Sequence, residues 1–196
     1  MIHHRIAAHI SLDAIEYNFD QMRKKIPPDA QIIAVIKADG YGHGAVPIAK
    51  MAEEWPFIWG FAVACPVEAL ELREAGIRKP ILILGLVFPE SYEQLASLDI
   101  RIPVMDVESA KGFADAALKA GKEAIVHIPI DTGMSRIGLA PFKESVDIIR
   151  KIEEIPGLQI EGMFTHFARA DEYDTAPAYN QLERFNEFEK ALIKEK

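Results

Sequence analysis

The chain contains the stretch Ile32-Ile33-Ala34-Val35-Ile36-Lys37-Ala38-Asp39-Gly40-Tyr41-Gly42-His43-Gly44. It begins with five apolar residues, continues with a lysine, and has glycine at every second position from Gly40 to Gly44. A near-continuous apolar run of this length is typical of a parallel strand that is buried on both faces. Glycine at every second position lets the backbone turn sharply and approach a ligand closely. The stretch therefore predicts a buried parallel strand that ends at a potential ligand site.

Apolar runs of strand length recur along the whole chain, and an amphipathic segment follows each of them. Ser11 and Asp106 are typical helix N-caps, and Gly76 and Gly121 are placed to end helices. This alternation of strand and helix predicts a parallel sheet. The predicted strands cover 32–36, 57–63, 81–84, 101–104, 124–130 and 158–163, and the predicted helices follow Ser11 and cover 45–54, 66–75, 89–97, 106–120, 141–154 and 175–194.

Two architectures are compatible with this pattern, an open doubly wound sheet and a (β/α)8 TIM-type barrel, and the pattern alone does not separate them. Six βα units occupy 196 residues. Eight such units would occupy about 250 residues, which is the typical size of a barrel. We therefore expect a single α/β domain over residues 1–196, of the barrel type and ending after about six units.

Composition excludes several classes of function. The formal net charge is -8 and the longest basic block is Arg23-Lys24-Lys25, which argues against nucleic-acid binding. Cys65 is the only cysteine, so no internal disulfide can form and a cysteine metal cluster is disfavoured. No stretch approaches the roughly 18 apolar residues of a membrane span. We therefore expect a cytoplasmic protein whose partner is a small molecule.

Three polar clusters follow the ends of predicted strands. They cover residues 37–44, 131–138 and 165–171. In both candidate architectures the carboxyl ends of the strands face the active site. We therefore expect the three clusters to share one rim of the sheet.

Lys37 is the candidate reactive residue of the first cluster. Burial at the end of an apolar strand should lower the pKa of its amine, and a neutral amine is what Schiff-base chemistry needs. The alternative is a lysine that extends to solvent from a strand end. The alternating glycines favour a ligand site, where Tyr41 would present its hydroxyl beside the lysine.

Arg136 and His166 are the candidates of the other two clusters. The planar guanidinium of Arg136 suits a carboxylate or a phenolate oxygen. The alternative is a loop arginine that pairs with Asp131, and both roles are compatible. For His166 taken alone, a structural hydrogen bond is the expected role.

The three clusters together resemble the signatures of a known family. Val35 to Gly44 looks like the cofactor-lysine signature of alanine racemases, and Asp131 to Gly138 resembles their second signature. Phe164 to Phe167, with Ala170 to Glu172, is similar to the third. The resemblance runs from about Arg5 to the end of the chain.

This resemblance implies a fold-type III barrel that binds pyridoxal 5'-phosphate. By that likeness Lys37 forms the internal aldimine and is the base on the D-alanine face. Tyr41 contacts the cofactor phosphate, Arg136 contacts the pyridine-ring oxygen and the substrate carboxylate, and His166 joins the hydrogen bonds beneath the ring. The implied enzyme is an isomerase that interconverts L-alanine and D-alanine for bacterial cell-wall synthesis, as a homodimer in its full-length form.

Two departures from the family pattern modify these expectations. Family members often carry a lysine two residues before the aspartate of the second signature, where it orients the arginine, and this chain has Pro129 there. Arg136 must then be held by a bound anion, by Asp131 or by another group. Full-length relatives also have two more strands and a β-rich C-terminal domain, so we expect these 196 residues alone to be inactive or nearly so.

Three other interpretations remain open at this point. One is a non-catalytic, single-domain barrel that binds pyridoxal phosphate. Another is a relative that racemises serine or another amino acid. The third is a structural αβ domain without a ligand, which would show no absorbance change with pyridoxal phosphate and no borohydride-trapped adduct at Lys37.

Overall fold

The computed structural model describes residues 6–194, and these form two compact units that divide between Ile81 and Leu82. Strands and helices alternate along both units, so the predicted βα pattern is confirmed. Strand β3 (Ile81–Ile83) lies where the chain passes from the first unit to the second. The first unit contains α1 (Leu12–Arg23), β1 (Ile32–Val35), α2 (Lys37–Gly42), α3 (Ala45–Ala52), β2 (Ile58–Val63) and α4 (Pro66–Glu74).

Strands β1 and β2 of the first unit are parallel. Ala34 lies opposite Phe61, and the register shifts by one residue near the start of β1. Ala34 and Ile36 are buried, but the side chains of Ile33 and Val35 are 37% and 42% exposed. The prediction that this strand is buried on both faces is therefore wrong. Alternate residues of a strand point to opposite faces, and in this structure only one face of β1 is covered.

The residues predicted to begin or end helices in the first unit have these positions in the structure. The Ser11 hydroxyl accepts a hydrogen bond of 3.2 Å from the Ala14 amide at the start of α1. Pro66 is the first residue of α4. A backbone amide at this position has no acceptor within the helix, so a proline there costs no hydrogen bond. Beyond the end of α4, Gly76 has a φ of 91°, the left-handed conformation expected of a glycine after a helix.

Gly60 permits a close backbone approach beside β2. The amide of Phe61 donates to the carbonyl oxygen of Pro80 over 2.9 Å. A Cβ atom on Gly60 would lie 2.3 Å from that same oxygen. Only glycine fits at this position, because any side chain would collide with the backbone that leads into β3.

The second unit contains three further parallel strands with their helices. Ile102 lies opposite Val126, and His127 lies opposite Gly162. Asp106 caps α6 by accepting from the Ser109 amide over 2.7 Å, as predicted. The elements are a 3-10 turn (Pro89–Ser91), α5 (Tyr92–Ser97), β4 (Ile100–Pro103), α6 (Val107–Lys119), β5 (Ala124–Pro129), α7 (Lys143–Glu153), β6 (Leu158–Phe164) and α8 (Ala176–Lys194).

The core of the second unit lies between its strands and helices. Phe113 of α6 is almost fully buried and meets the ring of Tyr92 edge-on, with centroids 5.5 Å apart. Ile102 and Ile128 are buried on the neighbouring strands. Among the helices described between residues 6 and 194, none is long and apolar enough to cross a membrane.

Candidate active site

Lys37 begins a single left-handed turn, and only Ile36 separates it from β1. The four residues that follow it have φ between 51° and 62° and ψ between 36° and 50°. The predicted sharp turn is confirmed, and Gly40, Gly42 and Gly44 all have positive φ. Ala38, Asp39 and Tyr41 share this conformation, which costs about 1–2 kcal/mol for each residue with a side chain. Other contacts must offset this cost.

Hydrogen bonds within the segment hold part of the turn. Asp39 accepts from the Ala45 amide through Oδ1 over 2.8 Å and so caps α3. The Nδ1 atom of His43 lies 3.0 Å from the carbonyl oxygen of Gly40, to which it can donate. Gly40 is buried, and a Cβ atom there would lie 3.1 Å from the side chain of Ile48. Glycine at position 40 therefore serves both the positive φ and the packing beneath the turn.

Glu68 provides a contact with the turn from another helix. It lies in the first turn of α4, and its Oε1 accepts from the Ala38 amide over 2.7 Å. Its Oε2 accepts from the Ala64 amide, also over 2.7 Å. One carboxylate thus joins the residue after Lys37 to the residue after β2.

Tyr41 lies beside Lys37, as the sequence predicts. The Lys37 amine nitrogen is 5.9 Å from the centroid of the Tyr41 ring. Lys37 is partly exposed and Tyr41 is 59% exposed. Both polar groups are therefore accessible to a ligand at this end of β1.

The second cluster is a loop that its own backbone closes. The Leu139 amide donates to the carbonyl oxygen of Pro129 over 2.9 Å, and the Asp131 amide donates to Leu139 over 2.8 Å. Asp131 Oδ1 accepts from the amides of Gly133 and Ser135 over 3.0 and 2.9 Å. The carboxylate of Asp131 therefore stabilises the loop itself.

Arg136 is exposed on this loop. Among residues 6–194, Asp131 binds backbone amides and forms no ion pair with Arg136. The alternative in which Asp131 holds the arginine is therefore wrong for this structure. The reason is that the short Asp131 side chain turns back onto the amides of its own loop. The guanidinium remains accessible to an anionic oxygen.

Gln181 of α8 joins the second and third clusters. Its Nε2 donates to the Thr132 hydroxyl over 3.1 Å and to the His166 carbonyl over 3.0 Å. Its Oε1 accepts from the Ala168 amide over 2.9 Å. The hydroxyls of Thr132 and Thr165 share a further hydrogen bond of 2.7 Å. Because Gln181 is only 4% exposed, these bonds are shielded from water and fix both loops.

Arg136 and His166 line the same small depression, together with Pro129, Asp131 and Phe164. The expected common rim is confirmed for the second and third clusters. Their strands, β5 and β6, are parallel neighbours, so the loops that follow them meet at one edge.

A charged network crosses the three strands of the second unit. Arg101 Nε and Nη2 donate to the two oxygens of Glu161 over 3.1 and 3.0 Å. The Nε2 atom of His127 lies 3.0 Å from Glu161 Oε2. Gly162 leaves room for this arrangement, because a Cβ atom there would lie 3.3 Å from the His127 ring.

We expect this network to make stability dependent on pH. Burial raises the pKa of Glu161, but hydrogen bonds from Arg101 and His127 and their charges outweigh it and hold the pKa below its ordinary value. A carboxyl group with a lowered pKa in the folded state contributes stability above its unfolded pKa of about 4.3 and loses it as the pH falls further. Glu161→Gln should reduce the free energy of unfolding by about 1–3 kcal/mol at pH 7, and the difference should shrink below about pH 4.

Urea unfolding at a series of pH values measures this difference. Glu123→Gln is the matched control, because Glu123 is exposed and its replacement removes the same charge. A pH-independent difference between Glu161→Gln and the original chain would contradict the expected linkage.

Comparisons with known proteins identify the family of this chain. The family model described as alanine racemase, N-terminal domain, matches residues 10–196. The chain belongs to the alanine racemase family. An alanine racemase of Methanococcus maripaludis is 42% identical over 96% of this chain and 50% of that protein. The chain spans about half the length of the curated relatives it matches.

Solved structures of amino-acid racemases have the same fold. An alanine racemase of Clostridium difficile 630 superposes with a TM-score of 0.90 at 38% identity, over 94% of this chain and 48% of that one. A histidine racemase of Leuconostoc mesenteroides has a TM-score of 0.81 at 29% identity, over 90% of this chain and 47% of that one. The resemblance stated from the signatures is confirmed. The likeness also confirms the barrel-type interpretation over the open doubly wound sheet.

Sequence reasoning missed Glu68 and Gln181, which contact the clusters, and Glu161, which pairs with Arg101 and His127. Glu68 has the pattern of an acidic residue in the first turn of a helix, where the helix dipole alone would explain it. Gln181 lies inside an amphipathic helix, and its partner Thr132 is 49 residues away. No local signal in the sequence connects these residues to the site.

Proposed function

We propose that this chain forms the lysine-bearing part of an alanine racemase that uses pyridoxal 5'-phosphate. Pyridoxal phosphate condenses with amines and accepts the electron pair that remains when an α-proton is removed. The observation that carries this proposal is the partly exposed Lys37 at the head of a constrained left-handed turn. The whole protein would interconvert L-alanine and D-alanine.

The described residues fit the cofactor chemically. Lys37 supplies an accessible amine, and Tyr41 supplies an exposed hydroxyl for the phosphate. Arg136 offers two parallel donors to a carboxylate or to the ring oxygen of the cofactor. His166 lies beside Arg136 in the same depression. These roles of the four residues are part of the proposal.

The proton chemistry is assigned to Lys37. Its amine would take the α-proton from one face of the amino acid and return it to that face. Racemisation also requires an acid or base on the opposite face, and Lys37 serves only one. Arg136 would bind the substrate carboxylate through its planar guanidinium.

Exchange of the α-proton tests this proposal directly. The chain is incubated with pyridoxal phosphate and D-alanine or L-alanine in D2O, and proton NMR follows the loss of the α-signal. Exchange needs a base on one face only, so we expect exchange of D-alanine above the rate of pyridoxal phosphate alone, although racemisation by these 196 residues should be absent or nearly so. Cofactor binding without exchange would favour the non-catalytic barrel, and absence of binding would contradict the proposal.

A second candidate is a racemase of another amino acid. The likeness to a histidine racemase, with a TM-score of 0.81, supports it, because the same fold then occurs in racemases named for different amino acids. The same exchange experiment with serine and histidine separates the candidates. Faster exchange of either amino acid than of alanine would replace alanine as the proposed substrate.

A further inference from the structure

The turn that carries Lys37 is unfavourable by itself. Three residues with side chains, Ala38, Asp39 and Tyr41, have left-handed backbone angles in succession. L-amino acids rarely adopt this conformation even singly, and it persists only where the surroundings enforce it. Residue 38 follows Lys37 directly, so the backbone here sets the direction in which the lysine leaves the strand.

Local hydrogen bonds hold the far side of this turn. The Asp39 carboxylate and the His43 ring act on residues 40–45. The amide of Ala38, next to Lys37, is held instead by Glu68, which is 30 residues away in the chain. Backbone hydrogen bonds hold the residue before Lys37, because the Ile36 amide donates to Ala62 over 2.9 Å and the Gly40 amide donates to Ile36 over 2.8 Å. The side-chain tether on the residue after Lys37 comes from α4.

The position of Glu68 makes this tether firm. The carboxylate accepts two hydrogen bonds of 2.7 Å, and such charge-assisted bonds are about twice as strong as neutral ones. It lies in the first turn of α4, where the helix dipole stabilises a negative charge. Its second partner, Ala64, directly follows β2, the parallel neighbour of β1.

We infer that Glu68 is a positioning residue for Lys37. It clamps the backbone after Lys37 to the end of the neighbouring strand, and thereby maintains the left-handed turn and aims the amine. This inference rests on the proposed function, in which Lys37 is the residue that reacts with the cofactor. Glu68 acts through the backbone of Ala38 and takes no proton itself.

The test compares Glu68→Gln with Glu71→Gln. The glutamine side chain keeps the shape of glutamate, but it has one acceptor oxygen and places an NH2 group against the second backbone amide. Glu71 is exposed on the same helix, and its replacement by glutamine removes the same charge. Each chain is incubated with pyridoxal phosphate and reduced with borohydride, and the rate of labelling at Lys37 is measured by mass spectrometry.

We expect Glu68→Gln to slow labelling of Lys37 about tenfold, with Glu71→Gln unchanged. Hydrogen exchange of the Ala38 and Ala64 amides, followed by NMR, is a readout that does not depend on the cofactor. At least one of these amides should exchange faster in Glu68→Gln. Labelling at the original rate in a folded Glu68→Gln chain would overturn the inference.

A second variant covers the case in which Glu68→Gln does not fold. Glu68→Asp keeps the charge but is too short to span both amides, so its labelling rate should also fall. An unchanged rate in Glu68→Asp, with both amides still protected, would again overturn the inference. If the original chain is not labelled at Lys37 at all, the proposed function fails, and the amide exchange alone then reports whether Glu68 holds the turn.

Discussion

Replacement of Lys37 by alanine should abolish the borohydride-trapped pyridoxyl adduct on this chain. Lys37 is the partly exposed amine at the end of β1, and the left-handed turn holds the backbone beside it. In a complete enzyme the same change should lower the rate of alanine racemisation by about 10²–10⁴-fold or more, because a positioned acid–base group contributes that much. Mass spectrometry of the reduced, digested chain measures the adduct.

Lys50→Ala is the matched control for this experiment. Lys50 lies exposed on α3 in the same unit, so its removal takes away an amine without touching the turn. We expect the control to keep the full adduct at Lys37. An equal yield of adduct in Lys37→Ala and in the original chain would show that another lysine holds the cofactor.

Gly138→Ala should be strongly destabilising and should disturb the loop that carries Arg136. Gly138 has a φ of 123°, and a Cβ atom there would lie 2.7 Å from the Asp131 amide nitrogen and 3.0 Å from the Pro129 carbonyl oxygen. The left-handed backbone costs about 1–2 kcal/mol and the overpacking about 1–3 kcal/mol. The free energy of unfolding should therefore fall by about 2–5 kcal/mol, as urea titration can measure.

Gly157→Ala separates the two contributions to that loss. Gly157 also has a positive φ, 75°, but a Cβ atom there would meet nothing within 4 Å. The free energy of unfolding of Gly157→Ala should therefore fall only by the backbone contribution of about 1–2 kcal/mol. If the two variants lose equal stability, the close contact between the loop and residues 129–131 does not matter for folding.

Local patterns were sufficient to predict most of the elements. The apolar runs gave all six strands, since each needs only a few consecutive apolar residues between turn signals. Ser11, Asp106 and Pro66 marked helix starts because capping acts within three or four residues of the chain. The alternating glycines likewise predicted the sharp turn after Lys37.

Burial and loop contacts could not be predicted in the same way. The apolar run of β1 was expected to be covered on both faces, but Ile33 and Val35 are exposed on one of them. The pairing of Arg136 with Asp131 was one alternative for this loop, yet Asp131 binds the amides of its own loop. Both outcomes depend on which groups the folded chain brings near, and the sequence pattern does not contain that information.

The sequence by itself determined the order of strands and helices, the three polar clusters and the family to which they belong. Each of these features depends on residues that lie close together in the chain. Only the tertiary structure decided that Glu68 holds the turn after Lys37 and that Gln181 joins the loops of Thr132 and His166. Such contacts arise because parallel strands bring segments that are tens of residues apart to the same edge of a sheet.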